Sequence, residues 1–257
     1  MAGTTTSIAN RPAWVDLATT DPAAARDFYG KLFGWQMDIN PDPQYGGYAL
    51  AKIGGQDAAG IGGTQSPEQP PAWSFYVGTD DVEALSGKVA AAGGTVIAPA
   101  FDVGDQGKMA VYQDPSGAFI SAWQPTRMGG FQTHGANAFG WAELSSRALE
   151  KAVPFYRDVF GWSARESGDA TQPYTEFQVD GESVAGGTPM NPMVPAEVPS
   201  YWLVSFAVDD VDRSHGTALD MGASELTPPS DYPGGRFSIL NDPQGVAFGL
   251  LHSTDET

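Results

Sequence analysis

Residues 14–35, WVDLATTDPAAARDFYGKLFGW, share a sequence pattern with residues 141–162, WAELSSRALEKAVPFYRDVFGW. The shared tryptophan, leucine, phenylalanine, tyrosine and glycine residues recur at one offset of 127, without a gap. A repeat at a fixed offset indicates that the chain arose by duplication. The fold must therefore be interpreted one half at a time.

The repetition extends beyond these two stretches. The sequence DDV at 80–82 recurs at 209–211, and DPSG at 114–117 recurs as DPQG at 242–245. D-P-x-G is a turn signal, because proline presets φ and glycine tolerates positive φ. The two halves therefore agree in their predicted turns as well as in their predicted helices.

Domain boundaries follow from the repeat. We predict a first domain at residues 11–126, a linker at 127–137 and a second domain at 138–253. The linker is rich in glycine and lacks a hydrophobic period. With 257 residues, of which 41% are hydrophobic, the chain can bury a core in both domains.

Each domain divides again into two units of strand, helix and three strands. In the first unit, Thr20 or Asp21 is expected to cap a helix that Gly34 ends, and in the second unit Asp80 is expected to cap the helix. Pro154 inside the third helix predicts a late start or a kink, because proline removes a backbone donor. The strands predicted in the first domain are 14–18, 35–39, 48–53, 58–62, 73–77, 95–99, 108–113 and 119–123.

This pattern resembles the vicinal-oxygen-chelate superfamily of glyoxalases, bleomycin-resistance proteins and extradiol dioxygenases. The resemblance is carried by F-Y-x-x-x-F-G-W and a later D-P-x-G, both found twice, and it covers nearly the whole chain. The segments WVDLATTD, PAFDVGD and FISAWQP further resemble an actinobacterial two-domain, glyoxalase-like subgroup. The resemblance implies an α+β fold in which four βαβββ units form two tandem domains with curled, U-shaped mixed sheets.

Enzymes of this superfamily hold a divalent metal with histidine, glutamine or glutamate at four strand positions of a domain. At the equivalent positions of its two domains, this chain has residues of other types. The resemblance places these positions at Trp14, Trp141, the region near Ile61 and Gly62, Ser74, Leu203, Ser121 and Gly249. A metal site of this kind needs several converging imidazole or carboxylate groups. The three histidines are expected elsewhere: His134 in the linker, His215 on a helix, and His252 out of phase with the cavity face. We therefore expect no metal and no other cofactor.

Two carboxylates remain as candidates for chemistry. Asp16 and Glu143 are equivalent in the repeat, and each follows a tryptophan at a ligand position by two residues. Because side chains alternate along a strand, each acid shares a face with that tryptophan. They are candidates for a general acid or base, or for a ligand anchor. Alternatively, they hold the sheet together by accepting hydrogen bonds.

By analogy with single-domain relatives, each cavity is expected to join the first unit of one domain to the second unit of the other. One expected set of ligand-binding residues is Trp141, Glu143, Ser74, Ser121 and Trp123, and the other is Trp14, Asp16, Leu203, Gly249 and Leu251. Because the first set is more polar, Glu143 is expected to anchor a ligand by hydrogen bonds. In the more apolar set, Asp16 is expected to resist ionisation and to be the better candidate for proton transfer.

Three classes of function stay open. The preferred one is a metal-free protein that binds a small aromatic or apolar metabolite or drug, for sequestration, carriage or antibiotic resistance. The second is a metal-independent lyase, isomerase or hydrolase that uses Asp16 or Glu143 as acid or base. The third is a surface or interaction protein without a ligand.

Charge and hydropathy limit the partners. A formal net charge of -18 disfavours nucleic acid and anionic membranes. No apolar stretch approaches the roughly 20 residues of a membrane span, and the N-terminus does not resemble a secretory signal. We expect a cytoplasmic monomer with an internal pseudo-twofold axis, because the duplication supplies covalently the partner that single-domain relatives obtain by dimerisation.

Overall fold

A computed structural model describes residues 8–168 and 173–254, which form two eight-stranded sheets and four α-helices. The first repeat consists of β1 (Pro12–Thr19), α1 (Pro22–Phe33), β2 (Gln36–Ile39), β3 (Ala49–Ile53), β4 (Gln56–Gly63), β5 (Ala72–Gly78), α2 (Val82–Ala91), β6 (Thr95–Val103), β7 (Gly107–Gln113) and β8 (Phe119–Pro125). The second repeat consists of β9 (Phe139–Ser146), α3 (Leu149–Phe160), β10 (Ser163–Gly168), β11 (Pro173–Val179), β12 (Glu182–Pro189), β13 (Tyr201–Ala207), α4 (Val211–Asp220), β14 (Ser224–Tyr232), β15 (Gly235–Asn241) and β16 (Ala247–Ser253).

Each repeat forms one mixed sheet. The strand order is β2-β3-β4-β1-β5-β8-β7-β6 in the first sheet and β10-β11-β12-β9-β13-β16-β15-β14 in the second. The pairs β1–β4 and β5–β8 are parallel, whereas β3–β4 and β7–β8 are antiparallel. The predicted α+β fold of four βαβββ units in two tandem domains is thereby confirmed.

The described residues cluster into two compact bodies, called unit 1 and unit 2, which differ from the βαβββ units. Each of the two contains segments of both repeats. Unit 1 comprises the residues before Val15 together with Phe75–Gly130 and Glu143–Trp202. Unit 2 comprises Val15–Ser74, Phe131–Ala142 and the residues from Leu203 onward. In the part of the chain that the structure describes, no helix is long and apolar enough to cross a lipid bilayer.

The helix ends follow the sequence signals closely. The side chain of Asp21 accepts a hydrogen bond from the backbone N–H of Ala24 at 3.0 Å, and Gly34 follows α1 with φ of 70°. The prediction of Asp80 as the cap of α2 is wrong by one residue, because Asp81 accepts from the third N–H of that helix. The alternative of a late start for the third helix is also wrong, since α3 begins at Leu149, at the same offset as α1.

A buried hydrogen-bond network ties the elements of unit 1 together. The hydroxyl of Tyr156 on α3 donates to Asp114 at 2.8 Å and accepts from the indole N–H of Trp202 at 2.8 Å. The other oxygen of Asp114 accepts from the backbone N–H groups of Ser116 and Ala118, which closes the D-P-x-G turn. A turn in one repeat is thus completed by a helix of the other repeat.

Unit 2 contains the equivalent network. Tyr29 donates to Asp242 at 3.0 Å, and the indole N–H of Trp73 donates to Tyr29 at 3.1 Å. Asp242 also accepts from the backbone N–H groups of Gln244 and Val246. Both networks lie in aromatic cores, where burial raises the pKa of Tyr29 and of Tyr156 well above the usual value of 10.0.

We expect this burial to make the protein sensitive to alkaline pH. The folded state holds the protons of Tyr29 and Tyr156 after the unfolded chain releases them, so their contribution to stability is present below pH 10 and is lost above it. Urea unfolding at increasing pH should therefore show stability falling above pH 10. The double variant Tyr29→Phe/Tyr156→Phe should lose about 1–3 kcal/mol per site at pH 7, because each aspartate loses a buried donor.

The same double variant should also show a shallower decline above pH 10 than the natural protein. Tyr45→Phe, at a partly exposed position in a surface turn, is the control and should change stability by less than about 0.5 kcal/mol. An equally steep alkaline decline in the double variant would show that other groups are responsible.

Candidate functional site

In the first repeat, the carboxylate of Asp16 is paired with a tyrosine. Leu17 is buried in the core. Asp16 is on the opposite face of β1 and is partly exposed. The hydroxyl of Tyr48, just before β3, donates to Asp16 at 3.2 Å. Asp16 lies beside Gly60 in the parallel pair β1–β4.

The ring of Tyr48 covers two glycines of β4. A Cβ atom at Gly62 would lie 2.8 Å from Cδ2 of Tyr48, and a Cβ atom at Gly60 would collide with the Tyr48 hydroxyl. Glycine is needed at both positions because the aromatic ring takes the space of their side chains. This segment of β4 is the position at which the resemblance placed the second metal ligand.

The residues of the site do not fit the divalent metal that the fold family implies. The tyrosine ring over Gly60 and Gly62 leaves no room for a ligating side chain on that part of β4. The other positions carry tryptophan, serine, leucine and glycine, which do not supply imidazole or carboxylate ligands. Within residues 8–168 and 173–254, no three His, Asp or Glu side chains form a group that could hold a metal ion.

We expect the purified protein to bind Ni²⁺, Zn²⁺ and Mn²⁺ at less than one ion per chain after dialysis, because of this donor set. Its melting temperature should be the same with and without EDTA. Inductively coupled plasma mass spectrometry and thermal unfolding measure the two quantities. One tightly held ion per domain would contradict the prediction.

In the second repeat, Glu143 forms an equivalent pair within unit 1. Glu143 lies beside Gly186 in the parallel pair β9–β12, and the hydroxyl of Tyr174 donates to its carboxylate. Burial raises the pKa of Glu143 above its usual value of 4.5, and the hydrogen bond from Tyr174 offsets part of this effect. Burial therefore disfavours ionisation of Glu143, which is the effect that the sequence analysis expected for Asp16.

Two further hydroxyl groups belong to the surroundings of Glu143. Tyr201, the first residue of β13, is hydrogen-bonded to the hydroxyl of Ser145 and is close enough to Glu143 for the carboxylate charge to raise its pKa. The partial burial of Tyr201 raises this pKa further and is the larger effect. We call Glu143, Ser145, Tyr174 and Tyr201 the Glu143 cluster.

We expect Glu143→Gln to stabilise the protein at pH 8. Because the pKa of Glu143 is raised, its contribution to stability is present below pH 4.5 and is lost as the pH rises through the folded-state pKa. The ionised carboxylate thus costs stability at pH 8, and its removal should raise the melting temperature by about 2–4 °C for each kcal/mol recovered. Glu197→Gln, in an exposed loop, is the control.

A lower melting temperature for Glu143→Gln at pH 8 would favour the alternative in which the carboxylate holds the sheet together. The change should also become smaller at pH 4, where Glu143 is mostly protonated in both states.

The other predicted ligand-binding residues lie on several strands of the two sheets. Ser121 and Trp123 are buried on β8, and the Trp123 indole donates to the carbonyl of Met128 at 3.1 Å. Leu203 on β13 is buried, and Gly249 on β16 leaves room for the hydroxyl of its neighbour Ser205. The remaining predicted positions are Trp14, which is buried, and Trp141, Ser74 and Leu251, which are partly exposed.

The expected grouping of Glu143 with Ser121 and Trp123 stays a prediction. Glu143 lies on β9 of the second sheet, and its hydrogen-bond and charge partners, Tyr174 and Tyr201, belong to its own repeat. Ser121 and Trp123 lie on β8 of the first sheet, and all five residues belong to unit 1.

Three tyrosines of the site were missed from the sequence. Tyr48 and Tyr174 both precede by twelve residues the glycine that pairs with the carboxylate, and this common spacing could have identified them. Their offset is 126 instead of 127, so an alignment without gaps does not match them. Tyr201 gives no such signal, because Ala72 is its counterpart in the first repeat.

Strands β5 to β8 of the first repeat, within unit 1, carry a largely apolar wall on the sheet face that points away from the helices. Ile120 and Ala122 on β8 are buried in the core, so Ser121 and Trp123 lie on the opposite face. Residues paired with these two in register extend the wall. They are Tyr76 on β5 and Val111 and Met109 on β7, with Phe101 on β6 paired to Met109.

The fold of the two repeats can be compared with known protein families. The sequence profile of the Glyoxalase/Bleomycin resistance protein/Dioxygenase superfamily matches residues 11–121 and 138–250. The chain therefore belongs to this superfamily.

Individual relatives agree with this assignment. Putative glyoxylase CFP32 of Mycobacterium tuberculosis is 40% identical over 246 residues, which cover 93% of this chain and 94% of the relative. Anthracycline biosynthesis protein DnrV of Streptomyces peucetius is 34% identical over 257 residues, with 93% and 92% covered. The Mn(II)-bound glyoxalase of Novosphingobium aromaticivorans has a similar fold, with a TM-score of 0.67, 17% identity, and 95% and 82% of the two chains covered.

Proposed function

We propose that this protein binds a small aromatic metabolite without the help of a metal ion. The observation that carries the proposal is the acid–tyrosine pair found in both repeats, Asp16 with Tyr48 and Glu143 with Tyr174. Such a pair offers hydrogen-bond acceptors and donors that can fix the orientation of a bound molecule. In the first repeat, this pair lies next to the strand position at which metal-dependent relatives carry a metal-ligating residue.

The wall formed by β5, β7 and β8 supports an aromatic ligand. Its tyrosine, tryptophan, methionine and valine side chains present flat and adaptable apolar surface, and Ser121 adds one polar group. Sites for small molecules combine largely apolar walls with a few polar groups in this way. Aromatic ligands also gain from edge or stacked contacts with tryptophan and tyrosine rings.

The names of two relatives point to the same class of compound. DnrV and DauV, at 34% and 33% identity, are both named as anthracycline biosynthesis proteins. Anthracyclines are polycyclic aromatic molecules with polar edges, which suits an apolar wall and a separate set of hydroxyl groups. We therefore propose a polycyclic aromatic metabolite as the ligand, held for carriage, sequestration or conversion.

A metal-independent isomerase or lyase is the second candidate function. It is favoured by the raised pKa of Glu143, because a carboxyl group whose pKa is raised by burial is suited to accept and return a proton near neutral pH. In this case the same cluster would bind the substrate and transfer a proton. Turnover of a bound aromatic compound, lost in Glu143→Gln, would establish this candidate.

We further propose that the protein acts as a monomer, because its two repeats already complete each other's D-P-x-G turns. Single-domain relatives need a second chain for a comparable arrangement. The tether keeps the second repeat at a high effective concentration.

Fluorescence titration with an anthracycline aglycone tests the binding function. We expect saturable quenching of tryptophan emission that is unchanged by EDTA. Val111→Glu should weaken binding by more than about tenfold, because it places a charge on the apolar wall. Leu219→Glu adds the same charge to an exposed position of α4 and is the control.

Two results would contradict the proposal. Binding that appears only after addition of Mn²⁺ or Zn²⁺ would show that the protein depends on a metal. The absence of binding to any polycyclic aromatic compound would favour an interaction protein without a small ligand.

A further inference from the structure

The two acid–tyrosine pairs have different neighbours. The register of β1 with β4 and of β9 with β12 makes Asp16 equivalent to Glu143 and Gly60 equivalent to Gly186. At three neighbouring positions, the first repeat has a residue without a polar side chain and the second has a hydroxyl. These differences are Ala18 against Ser145, Gly62 against Thr188, and Ala72 against Tyr201.

The added hydroxyls extend the pair in the second repeat into a connected set. Ser145 and Thr188 are register partners, and the hydroxyls of Ser145 and Tyr201 are hydrogen-bonded to each other. Because two such hydroxyls use only one of their two protons on each other, the pair keeps one proton for donation to another acceptor. The carboxylate of Glu143 accepts from Tyr174 and retains further acceptor capacity on its two oxygens.

The first repeat offers fewer hydrogen-bonding groups around its acid–tyrosine pair. Tyr48 lies over Gly60 and Gly62 and uses its hydroxyl on Asp16. The methyl groups of Ala18 and Ala72 offer no hydrogen bond at the positions of Ser145 and Tyr201. The duplicated sites have therefore diverged in their chemistry while keeping the same backbone register.

We propose that the Glu143 cluster is the polar recognition site of the protein and that its ligand carries a hydroxyl group next to a carbonyl group on an aromatic ring. The ligand hydroxyl donates to the carboxylate of Glu143, and the ligand carbonyl accepts from Tyr201. A hydroxyquinone edge has this pairing of one donor and one acceptor. The inference rests on the proposed function and specifies the site and the ligand edge that it recognises.

Two probes test this assignment: 1,8-dihydroxyanthraquinone and unsubstituted 9,10-anthraquinone, which has the carbonyls but not the hydroxyls. The natural protein should bind the dihydroxy compound about tenfold more tightly, the effect of one hydrogen bond to a charged group. In Glu143→Gln, this preference should fall to less than about threefold, because the ligand hydroxyl loses its charged acceptor, whereas binding of the unsubstituted compound should change by less than about twofold. Tyr201→Phe should weaken the binding of both compounds by a similar factor, because both carry the carbonyl group that accepts from Tyr201.

Tyr45→Phe, at a partly exposed position outside both acid–tyrosine pairs, is the control, and it should leave the tenfold preference unchanged. Circular dichroism and thermal unfolding of every variant establish that the variants are folded. An undiminished preference in Glu143→Gln, or a loss of binding in Tyr201→Phe that is confined to the dihydroxy compound, would overturn the assignment to the Glu143 cluster.

Equal binding of the two probes by the natural protein would overturn the proposed ligand edge but leave the proposed binding function intact. Failure to bind either probe would overturn both. The two proposals can therefore fail separately.

Discussion

The fold depends on a buried carboxylate in each D-P-x-G turn that its own repeat does not fully satisfy. One oxygen of Asp114 accepts the backbone N–H groups of the turn, but the other oxygen accepts the hydroxyl of Tyr156 from the second repeat. Asp242 and Tyr29 repeat the arrangement in reverse. Since an unsatisfied buried carboxylate is costly, each repeat stabilises the turn of the other with a hydrogen bond that this turn's own repeat does not supply.

Because of this mutual dependence, the two repeats share tyrosine and tryptophan residues on the core face of each sheet, whereas several residues on the opposite face differ. The core face keeps its tyrosine and tryptophan residues in both repeats, because Trp73 and Trp202 must reach the hydroxyls of Tyr29 and Tyr156. On the opposite face, the same backbone positions carry alanine in one repeat and serine or tyrosine in the other. Stability therefore constrains the sequence of one face, whereas the other face differs between the repeats in its hydrogen-bonding groups.

Much of the fold could be predicted, because its signals are local and occur twice. Helix caps, the glycine after α1 and the D-P-x-G turns are set by neighbouring residues, and the error at α2 arose because Asp80 and Asp81 are adjacent acids. The site could be predicted only in part. Alternation identified the face of Asp16 and Glu143, but their tyrosine partners depend on the register of β3 with β4 and of β11 with β12. This register includes a one-residue shift that the sequence period does not reveal.

The ring of Tyr48 over Gly60 and Gly62 has a consequence for how this branch of the superfamily can evolve. A histidine or glutamate introduced on that segment of β4 would collide with the tyrosine, and loss of the tyrosine alone would leave Asp16 without this donor. A larger side chain on this segment and the Tyr48–Asp16 hydrogen bond therefore exclude each other. A substitution at Gly60 or Gly62 changes the surroundings of Asp16 as well, so these three positions are expected to change together rather than one at a time.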